Sequence, residues 1–345
     1  MLKNKIHKIL IIKPRGIGDV VLSTIVINNL HKHFYNLQLD YLVEKPSASF
    51  LDSLPQINKV LILERKSLKK KAILLLEIIR NKYDLILDFY SNPTTALLTF
   101  LSFVKYRAGF PYRGRKYAYN IYGPAERGKY HAAELHLKFL EMLNIETESR
   151  ELLFGIDDNS RKYASDYFGK YFKADDFVIG ICPTGGWESK KCDPDIFAEI
   201  AKTVSNKLNA KIFIVWGKGD EKDTRAIKEY LNDCIIAPET SLQQMAALIE
   251  KCDIIIANDS GPMHIAVAVK TPVLALHGPT SPFMQGPYGE MHEWTRNEKL
   301  DCIECNLLVC PKKHECFREL SMEMVYDKLT LLIAKNNLAR KIEKY

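Results

Sequence analysis

Short aliphatic runs alternate with segments of helical periodicity twice along this chain, and that alternation constrains the fold more than any other feature. Residues 8–12 form an aliphatic run that stops at Pro14 and Gly16, and residues 20–34 then carry apolar side chains at helical spacing. The pattern continues with predicted strands at 38–43, 59–63 and 85–89 and a predicted helix at 67–82. Alternating strands and helices are typical of an α/β fold with a parallel sheet.

The same alternation restarts after a polar segment at residues 157–176, which we interpret as a helix and a connection. In the second half we predict strands at 177–181, 211–215, 234–237, 254–257 and 273–276. The helices predicted there are 195–208, 221–231, 242–251 and 263–269. At roughly 150 residues per domain, a chain of 345 residues suits two domains. We therefore predict two doubly wound, Rossmann-like domains at 1–165 and 176–321, with a C-terminal helix at 322–345 that could pack back on the first domain.

Composition and charge exclude several classes of protein. Hydrophobic residues make up 47% and charged residues 26% of the chain, the usual mix for a globular protein with real cores. No apolar run approaches the roughly 20 residues of a membrane-spanning helix, and the basic N-terminus lacks the apolar core and cleavage site of a signal peptide. A formal charge of +7 suits an anionic substrate or an acidic membrane face, and is too small to indicate nucleic acid. We therefore expect a cytosolic protein.

The first of the loops that follow strands is residues 13–19, with the sequence KPRGIGD. In open α/β sheets the ligand lies beyond the carboxyl ends of the strands, so these loops are where chemistry is expected. Gly16 and Gly18 let the backbone approach a ligand near a helix N-terminus. Val21 stands where a dinucleotide fold has its third glycine, which disfavours a nicotinamide cofactor. Asp19 opens the helix, and spacing alone favours a capping role over acid–base chemistry.

Three further loops follow predicted strands in the second half. Residues 183–191, PTGGWESKK, combine backbone amides, a hydroxyl and two lysines, as a diphosphate-binding loop would, although the residue order of a P-loop is absent. Residues 258–264, NDSGPMH, and residues 277–282, HGPTSP, place polar residues and glycines after neighbouring strands. A solvated turn or an ordinary helix cap would account for each loop alone. Together, the four loops favour a nucleotide-type ligand.

Two segments resemble the hallmarks of glycosyltransferase family 9, the ADP-heptose:lipopolysaccharide heptosyltransferases. The first is residues 9–22, ILIIKPRGIGDVVL, and the second is residues 258–266, NDSGPMHIA, which runs into TPV at 271–273 and GPTSP at 278–282. The similarity extends between them through residues 88–109 and VWG at 215–217, so that it covers nearly the whole chain. The resemblance implies a GT-B fold, in which two doubly wound domains face each other across a cleft. It also implies inverting, metal-independent transfer from a nucleotide-activated heptose.

Roles for individual residues follow from this resemblance. Asp19 matches the general base, which would take the proton of the acceptor hydroxyl, while Lys190 would neutralise charge on the leaving nucleotide. The family usually has Lys-x-Trp-Pro where this chain has KKCD at 190–193, so either Lys190 or Lys191 could contact the phosphates. The resemblance implies a place near the ribose for Glu221 and near the adenine for Thr240. The full set of expected donor contacts is Thr184, Gly185, Gly186, Lys190, Lys191, Glu221, Thr240, Asp259, Ser260, Gly261 and His264.

The acceptor is expected at the first domain. Between Asp88 and Glu126 there is no acidic residue, while cations alternate with tyrosines and phenylalanines. A basic, aromatic segment suits the phosphates and carboxylates of an inner-core lipopolysaccharide; it would equally suit an anionic membrane surface, or be a solvated loop. The expected acceptor contacts are Gly16, Gly18, Arg107, Arg113, Arg115 and Lys116.

Four of the eight cysteines form a cluster, consisting of Cys302, Cys305, Cys310 and Cys316. Four thiolates at this spacing could hold a structural zinc ion, with His314 as a substitute ligand. Only the first pair has the tight spacing of the usual zinc hooks, so free thiols or a disulfide remain alternatives. No cofactor is expected for catalysis itself.

These interpretations lead to a glycosyltransferase that moves a heptose from ADP-heptose to a lipopolysaccharide inner-core acceptor. The resemblance implies a cytoplasmic enzyme, peripheral on the inner face of the cytoplasmic membrane. Transfer of another nucleotide sugar to a surface glycan is one alternative. A non-catalytic binding protein, whose cysteine cluster recruits a partner, is another.

Overall fold

The computed structural model describes residues 6–183 and 185–342, apart from the side chains of residues 340 and 342. Thr184, one of the expected donor contacts, lies outside the described residues. The chain divides into two compact units, one ending at Gly155 and the other beginning at Ile156. The first unit therefore ends before residue 165, where the sequence placed its boundary.

The first unit is built on a parallel sheet. Its strands are β1 (Lys8–Ile12), β2 (Gln38–Val43), β3 (Lys59–Ile62), β4 (Leu85–Asp88), β5 (Tyr106–Gly109) and β6 (Ile121–Tyr122). Its helices are α1 (Ile17–Ser23), α2 (Val26–His33), α3 (Ala48–Asp52), α4 (Leu68–Asn81), α5 (Pro93–Leu101) and α6 (Ala132–Glu141). The six strands are parallel, in the order β3-β2-β1-β4-β5-β6.

The second unit repeats this plan. Its strands are β7 (Val178–Cys182), β8 (Lys211–Ile214), β9 (Ile235–Ile236), β10 (Ile254–Asn258), β11 (Val273–Leu276) and β12 (Glu293–Thr295). Its helices are α7 (Asp158–Tyr171), α8 (Pro194–Leu208), α9 (Glu221–Tyr230), α10 (Leu242–Lys251), α11 (Gly261–Ala268), α12 (Pro282–Gln285), α13 (Glu315–Arg318), α14 (Met322–Lys335) and α15 (Ala339–Ile342). The strand order, β12-β11-β10-β7-β8-β9, is the same doubly wound order read in reverse.

In each sheet the strand order reverses beside the first strand. The reversal lies between β1 and β4 in the first unit and between β7 and β10 in the second. Crevices at such reversal points are where open α/β sheets bind ligands. The loops after these four strands are therefore the ones that can build a site.

Local sequence explains the form of the central elements. The four central strands are buried almost throughout, which is why each reads as a continuous aliphatic run. Asn92 caps α5 in a reciprocal capping box with Thr95, and Ser241 caps α10 in the same way with Gln244. These caps fix where the helices begin and hence where the preceding loops end.

The helix after residue 321 belongs to the second unit. Val325, Leu329 and Leu332 of α14 are buried in the same core as the strands and α8 of that unit. The sequence left open whether this helix packs back on the first domain, and the structure shows that its apolar face is part of the second unit's core. Within residues 6–183 and 185–342, no helix combines the length and apolar character that crossing a bilayer requires.

Candidate functional site

The loop after β1 presents Asp19 on the first turn of α1. Gly16 adopts a φ of 77°, and a Cβ atom at this position would lie 2.5 Å from Asp19 Oδ2, so the carboxylate occupies space that only glycine leaves. The buried Lys13 places its Nζ 2.9 Å from Asp19 Oδ1, while the Asp19 side chain remains 56% exposed. The carboxylate is thus held in place and still open to an incoming hydroxyl. Gly18 is buried within α1.

His136 of α6 is a buried histidine of the same unit. Its ring centre lies 4.8 Å from that of Phe89. Burial is the largest cause of the low pKa of His136, about 3, and the positive charge of Lys13 lowers this pKa further. The imidazole is therefore neutral near pH 7. The charge of Asp19 raises the pKa of His136, and the charge of Arg127 lowers it.

The cations expected to bind an acceptor have different surroundings. Arg113 and Lys116 are exposed, while the Arg115 guanidinium lies 5.1 Å from the centre of the Tyr112 ring. Arg127, which the sequence analysis did not select, lies 5.7 Å from the centre of that ring. Two arginines and an aromatic ring thus form a basic platform in the unit that carries Asp19.

Two side chains support this segment from within. Arg107 donates from Nε to the Ala118 carbonyl at 2.9 Å and from a terminal nitrogen to the Val104 carbonyl at 2.5 Å. Asp88, at the end of β4, accepts bonds from the Ser91 amide and the Tyr119 hydroxyl, both at 2.8 Å, and burial raises the pKa of Asp88. Arg107 therefore supports the loops around it, in contrast to the exposed Arg113 and Lys116.

Lys190 and Asp259 meet at the reversal point of the second sheet. Lys190 lies in the loop after β7, and Asp259 directly follows β10. Lys190 Nζ lies 2.7 Å from Asp259 Oδ2, and the Thr280 hydroxyl donates to the same oxygen at 2.6 Å. Gln285 Oε1 accepts from Lys190 Nζ at 3.3 Å. The ammonium is therefore fixed between loops that converge from β7, β10 and β11.

The charge state of this pair follows from its surroundings. Burial by itself would raise the pKa of Asp259, but the influence of His277 and Lys190 outweighs it and lowers that pKa. Burial lowers the pKa of His277 to about 4, so this imidazole is neutral near pH 7. The site is thus an ammonium–carboxylate pair beside the N-terminus of α11, which begins at Gly261 after Ser260. The partial positive charge of that terminus and Lys190 both favour an anion.

Lys191 turns to a different element. Its Nζ lies 3.0 Å from Asp220 Oδ1 and 2.6 Å from Asp223 Oδ2, at the start of α9. Gly185 packs against its stem, since a Cβ atom there would lie 2.7 Å from Lys191 Cγ. The structure thus separates two lysines that the sequence could not distinguish: Lys190 joins Asp259, and Lys191 joins α9.

The remaining expected donor contacts are distributed over neighbouring loops. Glu221 accepts a bond from the Gly219 amide at 3.0 Å. The Thr240 hydroxyl is buried and has no hydrogen-bond partner within the part of the chain that the structure describes. His264 is buried on α11 and contributes to the low pKa of Asp259, whereas Gly186 is exposed in the loop after β7.

Several residues of these sites were missed by sequence reasoning. Lys13 and Thr280 lie inside loops that were selected, but their contacts with Asp19 and Asp259 depend on how those loops close. Asp220 lies before a predicted helix and carried no signal of its own. Arg127 and His136 follow the basic segment, in a stretch where no element was predicted.

The cysteine cluster, whose spacing suggested a structural zinc site, consists of free thiols in the structure, and zinc binding there stays a prediction. All eight cysteines are free thiols. Among residues 6–183 and 185–342, no group of three or more His, Cys, Asp or Glu side chains is arranged to hold a metal ion. His314, considered as a substitute ligand, lies instead 2.9 Å from Glu188 Oε1 and 3.1 Å from Asp193 Oδ1.

The chain is similar to known proteins along most of its length. The model of glycosyltransferase family 9 (heptosyltransferase) matches residues 73–315. The chain is 26% identical to lipooligosaccharide heptosyltransferase 2 of Campylobacter jejuni over 333 residues, which cover 94% of this chain and 99% of that relative.

Solved structures share the same fold. A family 9 glycosyltransferase from Veillonella parvula aligns with a TM-score of 0.84 at 22% identity, covering 95% of this chain and 97% of that one. ADP-heptose LPS heptosyltransferase II of Escherichia coli aligns with a TM-score of 0.79 at 20% identity, covering 96% of this chain and 99% of that one.

This chain belongs to glycosyltransferase family 9 and has the GT-B fold. It is therefore a transferase, and the alternative of a non-catalytic binding protein is set aside. The family and the fold class predicted from the sequence are confirmed.

Proposed function

We propose that this enzyme transfers a heptose from ADP-heptose to an inner-core sugar of lipopolysaccharide, with inversion and without a metal ion. Two relatives support the proposal: the Campylobacter jejuni protein is named a lipooligosaccharide heptosyltransferase, and the Escherichia coli structure is that of an ADP-heptose LPS heptosyltransferase. The observation that carries it is the buried Lys190–Asp259 pair at the reversal point of the second sheet. An ammonium beside a helix N-terminus and a glycine-bearing loop suits the diphosphate of a nucleotide sugar.

In the proposed reaction Asp19 accepts the proton of the acceptor hydroxyl. The hydroxyl oxygen forms a bond to the anomeric carbon of the heptose, and the bond from that carbon to the phosphate oxygen breaks. Attack from the side opposite the leaving group inverts the anomeric centre. ADP departs with the electron pair of the broken bond, and Lys190 stabilises the charge that develops on its phosphate.

The other expected contacts have supporting tasks in this proposal. Amides and small side chains from the loops after β7 and β10 would surround the phosphates and sugar, while Glu221 and the buried hydroxyl of Thr240 would face the nucleoside. Acceptor phosphates would meet the basic platform of Arg115 and Arg127 with the exposed Arg113 and Lys116. The set of donor contacts proposed is Thr184, Gly185, Gly186, Lys190, Glu221, Thr240, Asp259, Ser260, Gly261 and His264.

The donor is tested by thermal unfolding in the presence of ADP, UDP, GDP, CMP and NAD. A ligand that binds only the folded state stabilises it by about 2.7 kcal/mol when present at a hundred times its Kd, so the midpoint ranks the nucleotides. Selective stabilisation by ADP is expected. Selective stabilisation by UDP or GDP would indicate a UDP- or GDP-linked sugar as the donor instead. An unfolding midpoint that no nucleotide raises would contradict the proposed donor site.

We also propose that the enzyme works in the cytoplasm, on the inner face of the cytoplasmic membrane. Exposed apolar side chains at the end of α5 support this: Phe103 is 78% exposed, and Phe100 lies 5.3 Å from the ring of the half-exposed Tyr117. The cations Lys105 and Lys116 are exposed beside them, in a stretch without acidic residues. Apolar side chains flanked by cations suit an anionic lipid surface.

Vesicle sedimentation tests the membrane proposal. The enzyme is expected to pellet with phosphatidylglycerol vesicles and to remain in solution with phosphatidylcholine vesicles. Phe103→Ser should weaken the pelleting, whereas Tyr35→Ser, which removes another strongly exposed ring of the first unit, should not. Equal behaviour of the two variants would contradict this surface as the membrane contact.

A further inference from the structure

The cysteine-rich segment, residues 302–318, has no task in the reaction described above. It is nevertheless firmly attached to the second unit. Phe317 is fully buried and, with Cys316, belongs to the core of that unit. Cys316 also packs under the loop after β11, since a Cβ atom on Gly278 would lie 2.5 Å from its Sγ.

This segment binds the loop that carries Lys190. The Ser189 amide donates to the Leu308 carbonyl at 3.2 Å, and the buried Ser189 hydroxyl donates to the Leu307 carbonyl. On the other side, the Cys310 amide donates to Glu188 Oε2 at 2.9 Å. Both residues that precede Lys190 are therefore held by the cysteine-rich segment.

His314 joins the two ends of the same loop. Its Nε2 lies 2.9 Å from Glu188 Oε1 and its Nδ1 lies 3.1 Å from Asp193 Oδ1, so that Lys190 lies between the two residues it contacts. His314 also adopts a φ of 57°, a left-handed backbone that is uncommon for residues other than glycine and asparagine. Such a conformation persists where the surrounding structure determines it strongly.

The segment also binds the loop after β11. The Glu304 amide donates to the Gly278 carbonyl at 3.2 Å, and the Asn306 amide donates to the Pro279 carbonyl at 2.8 Å. The next residue, Thr280, donates to Asp259, the partner of Lys190. One segment therefore contacts both loops that converge on the Lys190–Asp259 pair.

We infer that the cysteine-rich segment positions Lys190 for the donor diphosphate, and that His314 is the positioning residue at its centre. The inference rests on the proposed role of Lys190 as the phosphate ligand. In this inference His314 acts without touching the donor, by holding the side chains of Glu188 and Asp193, which precede and follow Lys190 in the chain. Displacing a group at such a site by about 1 Å can cost on the order of a hundredfold in rate.

His314→Asn tests the inference. Asparagine accepts the left-handed backbone but is too short to bridge Glu188 and Asp193. We expect an ADP Kd roughly tenfold higher than that of the wild type, with the KM for ADP-heptose raised in parallel. Glu188→Gln, at an exposed carboxylate, should change ADP affinity in the same direction and serves if His314→Asn does not fold.

The matched control is His292→Asn in the same unit. The His292 Nδ1 accepts a bond from the Val273 amide at the start of β11, at the opposite end of that strand from the donor loops. Its substitution removes a partly buried histidine without touching the loop of Lys190, so ADP affinity should stay within twofold of the wild type. Equal losses in His292→Asn and His314→Asn would show a general effect on folding and overturn the inference.

A double-mutant cycle separates positioning from a structural role. If His314 acts through Lys190, His314→Asn should have no further effect on ADP affinity in the Lys190→Met background. Additive effects would overturn the inference. An unchanged ADP affinity in Lys190→Met alone would overturn the proposed phosphate ligand instead, so the two failures are distinguishable.

Discussion

Lys190 and Lys191 are adjacent in one loop of this enzyme, but their ammonium groups contact acidic side chains on different elements. Lys190 contacts Asp259 at the reversal point of the sheet, whereas Lys191 contacts Asp223 of α9 and Asp220, which directly precedes that helix. Because the sequence departs from the usual family pattern at 190–193, either lysine could be the one that contacts the phosphates. The surroundings of each ammonium depend on which acidic side chains the folded chain brings near it. Residue spacing alone therefore cannot identify which lysine contacts the phosphates.

Substituting each lysine by methionine tests this assignment. Lys190→Met should weaken ADP binding roughly 10- to 100-fold, because a hydrogen bond to a charged group contributes about 1.5–3 kcal/mol. Lys191→Met should change ADP affinity less than threefold, since its ammonium is engaged by α9. Isothermal titration calorimetry on both folded variants measures the difference; the reverse ranking would assign the phosphates to Lys191.

Asp19 and Asp259 could be selected from the sequence because each lies in a glycine-bearing loop after an aliphatic strand and within a segment that resembles a hallmark of family 9. Their partners could not. Lys13 and Thr280 contact these carboxylates only after the loops close, and Arg127 approaches Tyr112 from a separate stretch of chain. Sequence patterns therefore located the loops, while the charge pairs within them required the structure.

Elements were predictable to the extent that they are long and buried. The central strands β1, β4, β7 and β10 appear at or within one residue of their predicted bounds, because burial on both faces leaves a continuous aliphatic run. By contrast β6 and β12 span only two and three residues, too few for a periodic signal. The predicted helix at 20–34 is broken into α1 and α2, where the Thr24 hydroxyl donates to Val21 and accepts from the distant Leu153 amide.

The loop between β1 and α1 gives a prediction at this scale. Gly16→Ala introduces a Cβ atom 2.5 Å from the Asp19 carboxylate, so the carboxylate must move, and we expect turnover to fall at least tenfold. ADP affinity should be unchanged, because the donor contacts belong to the second unit.

The control for backbone strain is Gly289→Ala. Gly289 also has a positive φ, at 114°, but a Cβ atom there would make only an ordinary contact of 3.7 Å with His292. Both variants carry the cost of a positive φ at a residue other than glycine, on the order of 1–3 kcal/mol, and only Gly16→Ala should lose turnover. Similar turnover in the two would indicate that the position of Asp19 does not limit the reaction.

Across the whole molecule, both units contain histidines whose imidazoles are neutral near pH 7. Burial lowers the pKa of His136 to about 3 and those of His277 and His292 to about 4. An unfolded histidine titrates near 6.5, so between pH 6.5 and 4 the unfolded chain binds more protons than the folded one. Stability therefore falls as the pH falls through this window, by about 1.4 kcal/mol per pH unit for each histidine.

Thermal unfolding at pH 7 and pH 5 measures this effect. We expect a lower midpoint at pH 5, and a smaller difference between the two pH values for His292→Asn than for the wild type, because that variant lacks one of the titrating groups. A midpoint that does not change between pH 7 and pH 5 would contradict the buried neutral histidines.

The central claim is that Asp19 is the base of a heptosyl transfer whose donor is held by the second unit. Asp19→Asn keeps the size of the side chain and removes the proton acceptor. The most direct measurement is ADP release from ADP-heptose with a lipopolysaccharide core acceptor, alongside ADP affinity for the same variant. If Asp19 is the base, kcat falls by about 10²- to 10⁴-fold while ADP affinity stays within twofold of the wild type. Full turnover in Asp19→Asn would contradict it.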